Sequence, residues 1–304
     1  MIEVTDVTKR YGDVAAVDGV SLSVPSGASL GLVGTNGAGK TTLFRLLVGH
    51  ETPDSGTVRV AGVDPTGGTH VRERVGYLPE HAGFQPALTG AEVLGYYADM
   101  RGVEAADVDT LLSVVGLGDA GDRRVGGYSN GMNRRLGLAV ALLGDPDVLL
   151  LDEPTAGLDP AGVDAFNRVV ERVRDERDVT VVLSTHALGE VEALCDRVAV
   201  LDDGTVRAVG TVDEVVRSAG ETVTITADYA DDAALAAATG AVQSALPEAA
   251  LTAGETDLEL VVSRSSNTEA LSALVDTDPE SVRVDEPDLE TAVREVIAPG
   301  GERA

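Results

Sequence analysis

The run Ser29-Leu-Gly-Leu-Val33 leads without a break into Gly34-Thr-Asn-Gly-Ala-Gly-Lys40-Thr41, and a helical stretch follows from about Lys40 to Gly49. The spacing G-x-x-x-x-G-K-[ST] between a buried strand and a helix is that of a phosphate-binding loop. It restricts the chain more than any other feature, because strand, glycine-lined turn and helix N-terminus must follow in immediate succession. Gly34, Gly37 and Gly39 let the backbone N–H groups from Thr35, Asn36 and Ala38 onward wrap a phosphate chain. The helix N-terminus adds positive potential. Lys40 can reach the outer phosphate oxygens, the Thr41 hydroxyl can ligate magnesium, and Thr42 lies beside it in the first turn. A glycine-rich turn before an ordinary helix is the plainer reading, but it leaves Lys40 and Thr41 unexplained.

A second apolar run, Val148 to Leu151, ends in Asp152-Glu153. In open α/β sheets an acid at the C-terminal end of a central strand faces the phosphate loop. There Asp152 would hold magnesium through water, and Glu153 would polarise the attacking water as general base. Taken alone, the two acids read equally well as helix N-caps, since Pro154 follows. Ser129, in Tyr128-Ser-Asn-Gly-Met132, reads alone as the N-cap of the next helix. Tyr11 alone is a strand-end tyrosine, His186 a core histidine, and Glu80, closing Gly76-Tyr-Leu-Pro-Glu80, an exposed loop acid.

The order of elements defines the fold class. Ile2 to Val24 alternates polar and apolar residues, so the chain begins with a β-rich lobe. Thr57–Val60 and Arg74–Leu78 read as further strands. From Phe84 to about Gly144 the pattern is helical. Thr89-Gly-Ala-Glu92 is a capping box, and further helices are expected over Asp107–Val115 and Gly131–Leu143. Strands at Val148–Leu151 and Val179–Leu183 then alternate with helices near Gly162–Arg177 and Glu190–Cys195. A hairpin over Arg197 to Gly210 follows, and Thr211-Val-Asp-Glu214 opens the last helix of this unit. Strands alternating with helices predict a mainly parallel sheet covered on both faces. Beyond about Gly220 the texture changes to short strands and an Ala-rich helix. The expected architecture is α/β over 1–220, with a mixed sheet core, an antiparallel β lobe and a helical subdomain at about 85–144. A small α+β domain over 221–304 completes it, with a ferredoxin-like arrangement as the candidate. Pro299 to Ala304 reads as a frayed tail.

Taken in order, the phosphate loop, Y-S-N-G-M, L-L-L-D-E-P-T-A-G-L-D-P and S-T-H resemble the ATP-binding cassette (ABC) ATPases, from Met1 to about Gly220. The resemblance implies an ATPase with ATP and Mg2+ as cofactors. It implies that Tyr11 stacks on adenine, and that Ser129 and Gly131 contact the γ-phosphate of ATP held by the opposite subunit. Asp159, in Gly157-Leu-Asp-Pro160, falls in the loop that crosses between subunits. His186 falls at the switch histidine, which touches the γ-phosphate and orients Glu153. Glu80 stands where a glutamine is common. It keeps an oxygen for magnesium or water and loses an amide donor. Tyr128, Asn130 and Met132 depart from the common signature L-S-G-G-Q. Y-S-x-G-M followed by R-x-L, together with Y-L-P-E, is similar to the branch serving ABC-2-type membrane partners. Within that branch the chain resembles both nitrous-oxide-reductase maturation (copper-processing) ATPases and multidrug-export ATPases. The C-terminal domain is similar to the accessory domain of drug, sodium or daunorubicin-type exporters. The implied partners are a separate multi-span membrane permease and a second nucleotide-binding subunit, in a homodimer or heterodimer, on the cytoplasmic face of the membrane. The rival reading is a soluble cassette ATPase acting on ribosomes, nucleic acid or a regulatory partner.

Composition narrows the partners. The 304 residues carry a formal net charge of −28, and lysine occurs only at Lys9 and Lys40. Such a surface repels bare nucleic-acid backbone, so no nucleic-acid partner is expected. The single cysteine, Cys195, excludes an intrachain disulfide and reads as helix core. The N-terminal residues have no basic region followed by an apolar one, so no signal peptide is expected. No uncharged apolar run approaches the roughly 18–20 residues that span a bilayer. Self-repulsion of this size opposes compaction unless salt screens it, and at about 1 M salt the screening length falls to about 3 Å. The charge therefore predicts a halophilic protein, whose melting temperature rises across a KCl series. Higher stability at low salt would contradict it.

Overall fold

Alternation builds the first lobe. β1 (Ile2–Tyr11) buries Ile2, Val4 and Val7, and β2 (Val14–Val24) pairs with it antiparallel. β3 (Ser29–Val33) is buried along its whole length and runs through the phosphate loop into α1 (Lys40–Leu47). β4 (Ser55–Val60) returns to β1, giving a three-stranded antiparallel sheet in the order β2-β1-β4. This is a computed structural model that describes residues 1–68, 70–103, 107–218, 222–247, 249–286 and 288–297. Arg74 ends a short helix, α2 (His70–Arg74), instead of opening the strand β5 (Val75–Leu78). There its guanidinium bonds the Asp147 carboxylate and the Ala61 carbonyl.

The helical subdomain comprises α3 (Gly90–Arg101), α4 (Asp107–Val114) and α5 (Asn130–Ala141). The capping box at the start of α3 is formed. Thr89 Oγ1 accepts from the Glu92 N–H at 3.2 Å, and the Thr89 N–H donates to Glu92 Oε2 at 2.8 Å. The α/β pattern then resumes with β6 (Val148–Asp152), α6 (Pro160–Glu176), β7 (Thr180–Thr185), α7 (Leu188–Leu194), β8 (Arg197–Asp202) and β9 (Thr205–Thr211). Six strands form one sheet in the order β5-β6-β7-β3-β8-β9, parallel except for the terminal hairpin partner β9. The central strands β3, β6 and β7 are buried throughout, as a sheet covered on both faces requires. Cys195 caps α7 and is buried, and desolvation pushes its thiol up to about 12. It stays protonated and packs as a small apolar residue.

The chain divides into two units, Met1–Val212 and Asp213–Ala304. The division precedes all but the first residue of α8 (Val212–Ser218), so that helix falls to the second unit and not the first. The boundary expected at Gly220–Glu221 and the tail Pro299–Ala304 lie outside the described residues. In the second unit follow β10 (Thr222–Asp228), α9 (Asp232–Ala245), β11 (Ala250–Ala253), β12 (Asp257–Ser263), α10 (Asn267–Val275), β13 (Ser281–Asp285) and α11 (Leu289–Ile297). From β10 to β13 the elements run βαββαβ, in an all-antiparallel sheet of order β11-β12-β10-β13. That is the ferredoxin-like order. Its own core contains Val223, Ile225, Tyr229, Leu235, Val242, Leu258, Leu260 and Leu274.

One contact shows how tightly the central strand is enclosed. A Cβ on Gly31 of β3 would lie 2.6 Å from Val191 Cγ1 of α7. Gly31→Ala is expected to cost about 1–3 kcal/mol by overpacking. In a Val191→Ala background the same substitution should cost less. Urea denaturation of the four variants of the cycle checks this, and equal costs would contradict it.

Candidate functional site

Three loops leave the sheet side by side. In the parallel register Val33 is opposite Thr185, and Asp152 is opposite Ser184. The loop after β3, the turn after β6 and the loop after β7 therefore open at the same edge, where ligands of open α/β sheets bind. A cleft of about 420 Å³ lies there, lined by Thr35 to Thr42, Ala16, Glu80, Glu153, Ala156 and His186. Gly39 is the N-cap of α1 at φ +103°, and a Cβ there would overlap the Ala16 carbonyl. Both the dihedral and the close approach demand glycine.

Lys40 is buried, yet its Nζ is well supplied. It donates to the Gly34 carbonyl at 2.7 Å and the Thr35 carbonyl at 3.3 Å, and lies 3.6 Å from Glu153 Oε1. The other carboxylate oxygen, Glu153 Oε2, is 2.9 Å from His186 Nδ1. The glutamate thus stands between the lysine of one loop and the histidine of another. Its backbone is left-handed, at φ +42°. For a residue other than glycine that conformation costs on the order of 1–3 kcal/mol, and such residues cluster at functional sites. The Glu153 N–H is shared between the Ser184 carbonyl at 3.0 Å and Ser184 Oγ at 3.1 Å. Thr155, two residues on, bonds the buried Glu190 carboxylate of α7.

Asp152 is 1% exposed. Its Oδ1 accepts from the Ser184 hydroxyl at 2.6 Å, and its Oδ2 lies 3.4 Å from the Tyr77 hydroxyl. Burial first, and the neighbouring Asp152 charge second, raise the Tyr77 phenol well above its ordinary value, so it stays a donor. Neither acid caps a helix. The helix after this turn, α6, begins at Pro160, and its N-cap is Asp159, which accepts from the Gly162 N–H at 2.7 Å.

The other expected residues separate into two groups. Thr41, Thr42 and Glu80 line the cleft with Lys40. Glu80 is half exposed, with His81 Nδ1 at 3.7 Å from its Oε1. Tyr11 is not among the lining residues. It ends β1, 43% exposed, with Lys9 Nζ 5.7 Å from its ring centroid. A hydrogen bond from Lys9, and after it one from the Tyr11 hydroxyl, hold the Glu51 carboxylate below its ordinary value. Ser129, Gly131 and Asp159 line a different cleft of about 500 Å³, together with Arg135, Gly157 and Leu158. There Ser129 also serves as the N-cap of α5, accepting from the Met132 N–H at 3.2 Å.

Three residues at the site carry no role in the motif reading. They are Ser184 and Tyr77, which flank Asp152, and Arg134, which is buried on α5. Arg134 donates to the Pro79 carbonyl at 2.7 Å and to the Glu153 carbonyl at 2.6 Å. Its guanidinium ties the loop that carries Glu80 to the turn that carries Glu153. For Arg134 the signal was in hand, in the R-x-L that follows Y-S-N-G-M, although that triplet reads only as a branch mark. Ser184 and Tyr77 likewise fall inside S-T-H and Y-L-P-E, but those motifs give neither of them a role.

Fold and site together define a phosphate-loop nucleotide hydrolase. The family model described as "ABC transporter" matches residues 17–156. The chain is 42% identical over 224 residues to the Nod factor export ATP-binding protein I of Burkholderia orbicola, covering 71% of this chain and 73% of that protein. It is also 42% identical over 229 residues to the daunorubicin/doxorubicin resistance ATP-binding protein DrrA of Streptomyces peucetius, covering 73% and 68%. A solved ATP-binding subunit of an ABC transporter superposes with a TM-score of 0.65 at 29% identity, over 72% of this chain and 92% of that one. The chain belongs to the ABC transporter family as an ATP-binding subunit, and its activity is ATP hydrolysis coupled to transport.

Gly39→Ala should displace the first turn of α1 from the Ala16 carbonyl while leaving the distant core intact. ATP affinity is expected to fall at least tenfold, with the circular dichroism spectrum unchanged. Titration with a fluorescent ATP analogue reads the affinity, and near-normal binding would show that the loop tolerates the side chain.

Proposed function

We propose that this subunit drives export through a separate multi-span membrane permease, as one of two nucleotide-binding subunits that close head to tail around ATP. One observation carries the reading. The cleft lined by Lys40 and the cleft lined by Ser129, Gly131 and Asp159 are separate, and they share no residue among those described. On this reading the second cleft serves a nucleotide held by another subunit and not the one held by its own chain. That other subunit is a second copy or a related one. ATP then joins the two subunits, and hydrolysis releases them, so the energy of binding is spent on a conformational cycle. The names of the relatives, for export and for drug resistance, favour export over the copper-processing reading.

Each residue has a role in that cycle. The phosphate-loop N–H groups and Lys40 bind the phosphate chain, and Tyr11 offers an aromatic face to adenine. Glu153 takes the proton of the attacking water, and His186, bonded to its other oxygen, keeps that carboxylate aimed. Glu80 reports the state of the γ-phosphate to the neighbouring subunit. The donors near Lys40 fit magnesium, a hard cation that takes oxygen ligands. Thr41 presents a hydroxyl, and Asp152 is held by two hydroxyl groups with lone pairs remaining on both oxygens. Thr41, Asp152 through water, and Glu80 would hold the ion, which when bound neutralises charge on the phosphates. Among the described residues no helix is long and apolar enough to cross a membrane; in the proposed complex the permease supplies the crossing and holds this subunit at the cytoplasmic face. The net charge of −28 supports work in a salt-rich cytoplasm and disfavours a nucleic-acid partner.

The test is a tagged pull-down from detergent-solubilised membranes of the native host in high KCl, read by mass spectrometry. A stoichiometric multi-span membrane protein is expected. Ribosomal proteins, or no partner beside a fully active ATPase, would overturn the reading. In the same preparation Glu153→Gln should lower turnover at least a hundredfold, keep ATP binding and trap an ATP-dependent dimer.

A further inference from the structure

Ser184 is a buried polar residue near the end of β7. Its neighbours on β7, Val181 to Leu183, are apolar and buried, and Ser184 itself is 0% exposed. A hydroxyl so placed must find partners within the protein. It finds two, and both belong to the hydrolytic machinery. Oγ–H donates to Asp152 Oδ1 at 2.6 Å, and Oγ accepts from the Glu153 N–H at 3.1 Å. The hydroxyl's one hydrogen serves the first acid's side chain, and a lone pair serves the second acid's backbone. The Ser184 carbonyl accepts from the same Glu153 N–H at 3.0 Å. The residue thus grips the left-handed turn at Glu153, φ +42°, from two sides. The neighbouring hydroxyl does not share this task, because Thr185 Oγ1 accepts from the Ala187 N–H at 3.0 Å.

We propose that Ser184 is a positioning residue for ATP hydrolysis, whose hydroxyl locks the metal-holding acid Asp152 and the base Glu153 into one fixed relation. The proposal rests on the roles given to those two acids above. Without the hydroxyl, Asp152 loses its shortest hydrogen bond, and its carboxylate is free to turn. Glu153 keeps the Ser184 carbonyl but loses the side-chain half of its backbone grip. Metal affinity and the chemical step should then suffer together, while the phosphate loop, which does not touch Ser184, still binds nucleotide.

The test uses Ser184→Ala and Ser184→Thr in the full chain. Metal affinity is read without turnover, by Mn2+ titration under electron paramagnetic resonance with ATP bound, each variant carrying Glu153→Gln as well. Ser184→Ala is expected to weaken Mn2+ binding at least threefold relative to Glu153→Gln alone. In the chain with Glu153 intact it should lower kcat at least tenfold, with KM for ATP within twofold of the parent. Ser184→Thr, which keeps the hydroxyl, should restore most of the Mn2+ affinity. A change in Mn2+ affinity below threefold in Ser184→Ala overturns the proposal, whatever happens to kcat, and leaves Ser184 a packing residue. Failure of the base assignment is told apart, because it appears as turnover retained by Glu153→Gln with Ser184 in place and leaves the Mn2+ comparison untouched.

Discussion

Everything at the site depends on the register of three adjacent parallel strands. β6, β7 and β3 are neighbours in that order, and their residues pair so that Asp152, Ser184 and Leu32 stand level with one another, with Val33 opposite Thr185 one residue on. A one-residue slip in a strand turns every side chain to the opposite face. Here it would turn Asp152 away from the Ser184 hydroxyl and separate Glu153 from Lys40. The register is fixed by burial on both faces, since β3, β6 and β7 expose nothing. The apolar character of these strands is therefore what aims the charges at their ends. Arg134 and Thr155 extend the same control to the loops, one tying the Glu80 loop to Glu153 and the other tying the following turn to α7.

Charge is placed with economy in a chain this acidic. Only two lysines occur among 304 residues, and neither is a free surface group. Lys9 is largely buried, held by the Thr52 carbonyl at 2.9 Å and the Glu51 carboxylate at 3.2 Å, beneath the ring of Tyr11. Lys40 is buried and gathers carbonyls of its own loop together with the Glu153 carboxylate. A buried ammonium is costly without such partners. The same contacts already restrict the side chain, so less conformational entropy would remain to be lost on binding nucleotide.

Much of this was legible from sequence, and the division between what was and was not is physical. The phosphate loop, the capping box at Thr89 and the strand from Ser29 to Val33 are local events. Their determinants lie within a few residues, and the structure shows them as read. Arg74 was misplaced because the short helix α2 has no periodicity long enough to detect. β11 was missed because a four-residue strand at a sheet edge, mostly exposed, leaves no alternation to see. Asp152 and Glu153 were ambiguous as caps until the start of α6 at Pro160 excluded that role. Ser184 and Arg134 stayed unread for a deeper reason. Their meaning lies in partners 19 to 55 residues away, brought near only by strand register and helix packing.

The separation of the two clefts bears on why the chain can work as a machine part. A site assembled wholly within one chain would hydrolyse ATP as fast as its chemistry allowed, whether or not a partner was present. Here the phosphate loop and the base lie in one cleft, and the Ser129–Gly131–Asp159 group lies in another. The two acids are nevertheless held firmly in the single chain, by Ser184, Tyr77, His186 and Lys40. On the proposed reading, what a lone subunit lacks is therefore not the aim of its base but the donors that would close over the γ-phosphate. The N-termini of α5 and α6 are fixed by the Ser129 and Asp159 caps, so in the proposed arrangement a second subunit would bring them already formed. Two rigid halves that complete each other only on contact make hydrolysis conditional on approach. In the proposed arrangement a membrane partner that governs the approach would then govern the rate.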